Sequence, residues 1–216
     1  MDGDGDMDIV SASLNDNTIA WYENNGASDP SWAASDIATT ANGAFSVFVA
    51  DMDGDGDMDI VSASVNDDTI AWYENNGAAD PTWAAADIAT SADGARSVFV
   101  ADMDGDGDMD IVSASTLDNT IAWYENNGAA DPSWTAANIA TSADTAKSVF
   151  AADMDGDGDM DIVSASSGDD TIAWYENNGA ADPSWAASDI ATSADGAFSV
   201  FAADMDGDGD MDIVSA

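Results

Sequence analysis

One nine-residue segment, Asp-Met-Asp-Gly-Asp-Gly-Asp-Met-Asp, recurs at a fixed spacing along this chain. It occupies Asp51–Asp59, Asp102–Asp110, Asp153–Asp161 and Asp204–Asp212, and Met1–Asp8 is a fifth copy that lacks the first Asp. Each copy starts 51 residues after the previous one, and the residues between copies repeat with few changes. Repetition at this spacing indicates one supersecondary unit that is stacked several times.

Each complete copy of the segment predicts a loop that binds Ca²⁺. Aspartates stand at positions 1, 3, 5, 7 and 9, and Ca²⁺ takes about six to eight oxygen ligands in a flexible shell. We expect position 7 to give its backbone carbonyl and the other four positions their side chains, while the Gly at position 6 permits the sharp turn. The predicted ligands are Asp51, Asp53, Asp55, Asp57, Asp59, Asp102, Asp104, Asp106, Asp108, Asp110, Asp153, Asp155, Asp157, Asp159, Asp161, Asp204, Asp206, Asp208, Asp210 and Asp212.

The alternatives to a calcium loop are a solvated acidic turn, a Mg²⁺ site and an EF-hand. Identical spacing in four copies argues against the first, since a cluster of carboxylates without a cation repels itself. Mg²⁺ retains its waters and seldom uses sites made only of protein ligands. An EF-hand needs a bidentate Glu at position 12 of the loop, where this chain has Ser62.

Composition narrows the class of protein. The 216 residues include 44 acidic side chains against two basic ones, a formal net charge of −42, which argues against nucleic acid or an anionic membrane as a partner. The 45% hydrophobic content and eight Trp predict a folded core and not a disordered acidic chain. Without Cys or His, the chain has no disulfides, no thiol chemistry and no Ser-His-Asp triad. No apolar run is long enough to cross a membrane as a helix.

Four strand-like runs occur in each repeat. The run that precedes a calcium loop is Ser97–Ala101. The three runs that follow a calcium loop, here the loop before that one, are Asp59–Ser64, Thr69–Glu74 and Trp83–Ala89. They are rich in β-branched and aromatic residues, and Gly, Asn, Asp or Pro separates them. This pattern predicts an all-β chain: a β-propeller of four-stranded antiparallel blades, one blade per repeat and four blades per chain, with residues 1–216 as a single domain or half-ring.

The ends of the chain leave the ring size open. We count 17 strands, whereas four closed blades need 16. The extra strand arises because the first and the last strand hold the same position in the repeat. Closure requires the N- and C-terminal segments to complete one shared blade, with Ser199–Ala216 as its intact hairpin and Met1–Ser13 displaced. Two chains could instead close an eight-bladed ring as a homodimer, which we favour slightly, and a fragment of a longer array is the third option.

The segment Phe99–Ile111 resembles the FG-GAP/VCBS repeat of integrin-α-like propellers, and the resemblance extends over the whole chain. It implies a calcium-binding hairpin between the first two strands of each blade, with the aspartates above as ligands, and a role in adhesion or carbohydrate binding. The chain departs from the family pattern because it lacks the FG and GAP tripeptides and has four units where the family often has seven.

A possible ligand face lies opposite the calcium loops. Successive loops of a blade alternate between two faces, and the differences between repeats fall mainly on the face without the calcium loops. One position of that face reads Phe45, Arg96, Lys147 and Phe198 in the four repeats and holds both cations of the chain. Aromatic and cationic side chains suit a sugar or a carboxylate, although exposed loops also vary without function.

These features together predict a calcium-stabilised, non-catalytic binding or adhesion module that recognises a glycan or a protein. Millimolar calcium outside cells suits such loops, so we expect the protein to be extracellular, although the chain carries no signal peptide. The alternatives are a structural spacer in a larger secreted protein and a glycan-active enzyme. We also expect Asp104→Ala to affect one calcium site only, on the assumption that the loops of neighbouring blades are separate.

Overall fold

The computed structural model describes all 216 residues as a succession of five antiparallel sheets without a helix. The sheets have three, four, four, four and two strands, and neighbours within a sheet are consecutive in the chain. The predicted four-stranded antiparallel repeats are therefore confirmed. The strands are β1 (Ile9–Ser13), β2 (Thr18–Asn24), β3 (Trp32–Ala38), β4 (Ala44–Ala50), β5 (Asp59–Ser64), β6 (Thr69–Asn75), β7 (Trp83–Ala89), β8 (Ala95–Ala101), β9 (Asp110–Ser115), β10 (Thr120–Asn126), β11 (Trp134–Ala140), β12 (Ala146–Ala152), β13 (Asp161–Ser166), β14 (Thr171–Asn177), β15 (Trp185–Ala191), β16 (Val200–Ala203) and β17 (Asp212–Ser215).

Burial explains why the middle strands of a sheet are apolar at consecutive positions. Every residue of β5, β9 and β13 is buried, because both faces of these strands lie against neighbouring sheets. The outer strand β7 instead exposes four residues in succession. Strict alternation of apolar and polar residues is expected only where one face meets water, so its absence here follows from the packing.

The hydrophobic core lies between consecutive sheets and not within them. One cluster joins Val112, Ile121 and Trp123 of the third sheet to Ile162 and Tyr175 of the fourth. Equivalent clusters join the second sheet to the third and the first to the second. Each sheet therefore depends on its neighbours to bury its apolar surface, as in other repeat proteins.

The first strands of successive sheets, β4, β8, β12 and β16, pack against one another. Their phenylalanines form a ladder from Phe48 through Phe99 and Phe150 to Phe201, with successive ring centroids 4.8, 4.6 and 4.8 Å apart. The backbone N–H of Val98 in β8 also donates a hydrogen bond to the hydroxyl of Ser46 in β4 of the neighbouring sheet, at 3.3 Å. The equivalent bond recurs in the next two repeats.

The ladder of phenylalanines does not close into a ring within one chain. Phe48 and Phe201 share no ring contact, and the Phe201 side chain is half exposed. At the two ends, β1 is an edge of the three-stranded sheet, while β16 pairs with β17 in a separate hairpin. A blade shared between these two ends stays a prediction. The expected displacement of Met1–Ser13 is wrong for this structure, because β1 within that segment pairs with β2 along its whole length. The structure contains no helix of the length and hydropathy needed to cross a membrane.

Candidate metal centre

The four complete acidic loops each connect the first and second strands of a sheet. In the first of them, the Asp51 carboxylate accepts hydrogen bonds from the N–H groups of Gly54 and Gly56 at 2.9 and 3.0 Å. Asp53 and Asp55 each accept one from the residue two positions later, at 3.2 and 2.9 Å. Gly56 has φ of +96°, a conformation that favours glycine. The backbone amides therefore orient the carboxylates before any cation binds.

Carboxylate oxygens converge in all four of these loops. Positions 1 and 3 contribute an oxygen in every loop. The third oxygen comes from position 9 in three of the loops and from position 5 in the loop Asp153–Asp161. The clusters are Asp51, Asp53 and Asp59; Asp102, Asp104 and Asp110; Asp153, Asp155 and Asp157; and Asp204, Asp206 and Asp212. Within each cluster, one oxygen per residue lies within 4.8 Å of the others. Oxygens on opposite sides of a Ca²⁺ at about 2.4 Å would be separated by that distance, so the donor set fits the ion.

The carboxylate at position 9 has a second role in the hairpin. Asp59 is fully buried, and it accepts hydrogen bonds from the N–H groups of Asn75 at 2.8 Å and Met52 at 3.1 Å. Burial raises the pKa of the Asp59 carboxyl to about 6 and that of Asp110 to about 7, against the lowering effect of these hydrogen bonds. The same side chain therefore fixes the loop to the next hairpin and faces the candidate metal.

The side chain at position 7 points away from the carboxylate cluster. Asp57 lies against Gly77 in the next turn of the sheet, where a Cβ on Gly77 would be 2.9 Å from the Asp57 carboxyl carbon. The same contact recurs between Asp108 and Gly128, and between Asp159 and Gly179. This orientation leaves only the backbone carbonyl of position 7 for a metal, and that carbonyl remains a predicted ligand.

The incomplete N-terminal copy differs from the other loops. No three of its four aspartates bring their carboxylate oxygens within 4.8 Å of one another. The N-terminal ammonium of Met1 instead makes an ion pair with Asp8 at 2.8 Å.

In each of the three four-stranded sheets, an asparagine connects the acidic loop to the loop of the preceding sheet, and sequence reasoning missed it. The side-chain amide of Asn126 donates to the carbonyl of Met109 in its own sheet at 3.1 Å and to that of Met52 in the preceding loop at 2.8 Å. Asn75 and Asn177 make the equivalent pair of bonds. The assumption that neighbouring loops are separate is therefore wrong. The available signal was an Asn after Trp-Tyr-Glu in every repeat, at the end of a strand where β-propensity does not favour it.

Sequence comparison agrees with this architecture. A sequence model of the FG-GAP-like repeat matches residues 1–62, 54–113, 102–164 and 153–215, which together span nearly the whole chain. The chain belongs to the FG-GAP-like repeat family. No curated protein matches it. Among solved structures, the V. cholerae biofilm matrix protein Bap1 is similar at 18% sequence identity and a TM-score of 0.40, over 91% of this chain and 40% of that one. This chain therefore spans less than half the length of that structure.

On the face opposite the acidic loops, the FG-GAP-like repeats bring their predicted ligand residues together. The Arg96 guanidinium carbon lies 4.0 Å from the ring centroid of Phe45 and 4.7 Å from that of Phe198. Lys147 stands at the equivalent position of the neighbouring strand β12, which packs against β8, and burial followed by the charge of Arg96 lowers its pKa. Four residues that are far apart in the sequence thus converge where the first strands begin.

The pKa values at position 9 of the FG-GAP-like loops predict a dependence of stability on pH. Because the folded pKa of Asp110, about 7, exceeds the unfolded value of about 3.9, the folded state binds this proton more tightly. In chelator, we therefore expect the free energy of unfolding to fall as the pH rises from 6 to 8. Calcium affinity should change in the opposite sense and increase over this range, since the metal requires the ionised carboxylate.

Chemical denaturation in chelator at several pH values measures this effect. Most surface carboxylates remain ionised between about pH 6 and 8, so their mutual repulsion changes little over that range. Asp110→Asn should reduce the slope of the curve, because it removes the group with a pKa of about 7, while Asp59, with a pKa of about 6, still titrates at the lower end of the range. A wild-type stability in chelator that rises with pH across the same interval would contradict the assignment.

Proposed function

We propose that this chain is a calcium-stabilised, non-catalytic β-propeller module that binds a glycan or protein ligand outside the cell. The observation that carries the proposal is the fourfold recurrence of one carboxylate cluster, preoriented by backbone amides, between the first two strands of successive sheets. A metal at this point neutralises several aspartates and fixes the hairpin. A chain with a formal charge of −42 gains stability from both effects.

The packing of the first strands supports the propeller arrangement. In a propeller, the first strand of each blade lies next to the central axis. Strands β4, β8, β12 and β16 pack in succession, and their phenylalanines form the ladder described above. Arg96 also reaches aromatic rings from two other repeats, and this contact supports an arrangement of the strand starts around a common centre.

The partner that closes the ring stays a prediction. The ladder ends at the half-exposed Phe201 within one chain, and a second copy could continue it into an eight-bladed ring. Light scattering tests this prediction, because the homodimer has twice the 22.0 kDa mass of one chain.

A non-catalytic role agrees with the chemistry of the acidic loops. An acid–base pair works when different environments separate the two pKa values. Here a cluster of three carboxylates recurs in four loops of identical sequence, and there is no His or Cys to act with it. Extracellular calcium is millimolar, which supports placement of the module outside the cell. A structural spacer would carry the same calcium loops but would bind no ligand on the opposite face.

Calorimetric titration with CaCl₂ tests the metal part of the proposal. We expect about four sites per chain, one for each cluster. Asp102→Asn should remove one site, because the amide keeps the shape but loses the charge that binds Ca²⁺. Asp131→Asn is the matched control, since this exposed Asp lies outside the loops and the change in net charge is the same. Heats no larger than those produced by MgCl₂ would contradict the proposal.

A further inference from the structure

The two basic side chains of the protein stand at equivalent positions on the packed strands β8 and β12, and neither forms an ion pair. Arg96 and Lys147 are the only Arg and Lys in a chain with 44 acidic residues. Despite this excess of carboxylates, the single ion pair of the structure involves the N-terminus and neither of these cations. Burial is the cause that lowers the pKa of Arg96, and no neighbouring carboxylate opposes it. The site therefore has positive charge that the protein itself does not neutralise.

Two aromatic rings hold the guanidinium of Arg96. The rings of Phe45 and Phe198 lie 4.0 and 4.7 Å from its central carbon, within the range of a cation–π contact. A guanidinium carries its N–H donors around the edge of the plane, and a carboxylate can accept two parallel hydrogen bonds from them. The Nε atom is buried and has no hydrogen-bond acceptor in the protein. The guanidinium therefore has a donor for which the chain supplies no acceptor.

Lys147 adds a second charge next to this group. The positive charge of Arg96 contributes to the lowered pKa of Lys147, after the larger effect of burial. Two like charges in proximity destabilise each other, and an anion placed between them removes that cost. The half-exposed ring of Phe198 provides an apolar surface beside the charges.

We propose that Arg96, Lys147 and Phe198 form a binding site for a single carboxylate group on a sugar acid. The guanidinium fork and the ammonium bind the carboxylate, and the Phe198 ring packs against the apolar face of the sugar. The surrounding surface is strongly acidic, so a densely charged polyanion is repelled while one isolated carboxylate is accepted. This inference names a ligand for the proposed binding module and rests on that proposed function.

NMR titration of the calcium-loaded protein with galacturonate tests the site directly. Because the chain contains one Arg, its Nε–H signal identifies the guanidinium without ambiguity. We expect galacturonate to shift this signal in a saturable manner, and the neutral methyl galactoside to leave it unchanged. Acetate supplies the carboxylate without the sugar ring, and we expect it to bind about tenfold more weakly. Salt at about 0.15 M keeps distant carboxylates screened.

The repeats themselves supply the variants for this test. Lys147→Phe introduces the residue that occupies the same position at Phe45 and Phe198, so the fold accepts that side chain. It should weaken galacturonate binding about tenfold and preserve the melting temperature in calcium. Leu117→Gln, at an exposed position on the same face, should change neither property. Phe198→Ala should reduce the preference for galacturonate over acetate.

Several results would overturn the site. They are an unshifted Arg signal, equal shifts with methyl galactoside, or undiminished galacturonate binding by Lys147→Phe. Equal affinities for acetate and galacturonate would overturn the sugar part of the proposal. Failure of calcium binding with an intact galacturonate response would instead contradict the calcium-stabilised module, so the two proposals fail separately.

Discussion

Removing calcium is expected to lower the melting temperature of this protein by at least about 10 °C. For a Kd of about 0.1 to 1 mM, a calcium concentration of about 10 mM contributes roughly 1.4 to 2.7 kcal/mol per site. Four clusters add such contributions, and in each of them at least three carboxylate oxygens lie within 4.8 Å. Without the cation these groups repel one another, so chelation both removes binding energy and introduces strain.

Thermal denaturation monitored by Trp fluorescence, in excess chelator and in CaCl₂, measures this shift. MgCl₂ at the same concentration is the control for divalent screening, since Mg²⁺ retains its waters and should stabilise the protein less. NaCl at matched ionic strength is the control for general screening of the acidic surface. Equal melting temperatures in chelator and calcium would mean that the acidic loops are solvated turns.

Asn126→Ala is expected to lower the free energy of unfolding substantially and to weaken two calcium loops at once. The Asn126 side chain is buried and donates to the carbonyls of Met52 and Met109, while its oxygen accepts from the N–H of Gly128. Alanine leaves the buried Met52 carbonyl without a partner, at a cost of about 1–3 kcal/mol, while the more exposed Met109 carbonyl and Gly128 N–H can turn to water. The calcium loops on both sides should weaken, because the substitution removes the bond that connects them.

Asn24→Ala is the matched control for this substitution. Asn24 makes the equivalent bonds to Met7 and Gly26 within its own sheet, and no preceding loop lies beside it. Asn24 is only half-buried, so the difference between the two variants contains the bridge between sheets together with the deeper burial of Asn126. Chemical denaturation gives the loss of stability, and calorimetry gives the number of altered calcium sites. A variant at Asn126 that loses no more stability than the one at Asn24, with all calcium sites intact, would show that the loops act independently.

Much of the local structure could be predicted from the repeat. The period, the strand positions and the acidic hairpin loops depend on residues within one unit, where turn geometry and strand propensity act over short distances. The strand Thr69–Asn75 ends one residue beyond its predicted end, and that residue, Asn75, carries the contact to the preceding sheet. The bridge was missed because the partner carbonyl is 74 residues away in the sequence.

The sequence by itself determined the all-β class, the repeated four-stranded unit and the set of aspartates that could bind calcium. Only the tertiary structure decided which aspartates converge, since Asp59 faces the cluster while Asp57 packs against Gly77. It also decided that Arg96 lies between Phe45 and Phe198, residues from two other repeats. These outcomes depend on how one unit packs on the next, and nearly identical units give a sequence no signal of which distant copies meet.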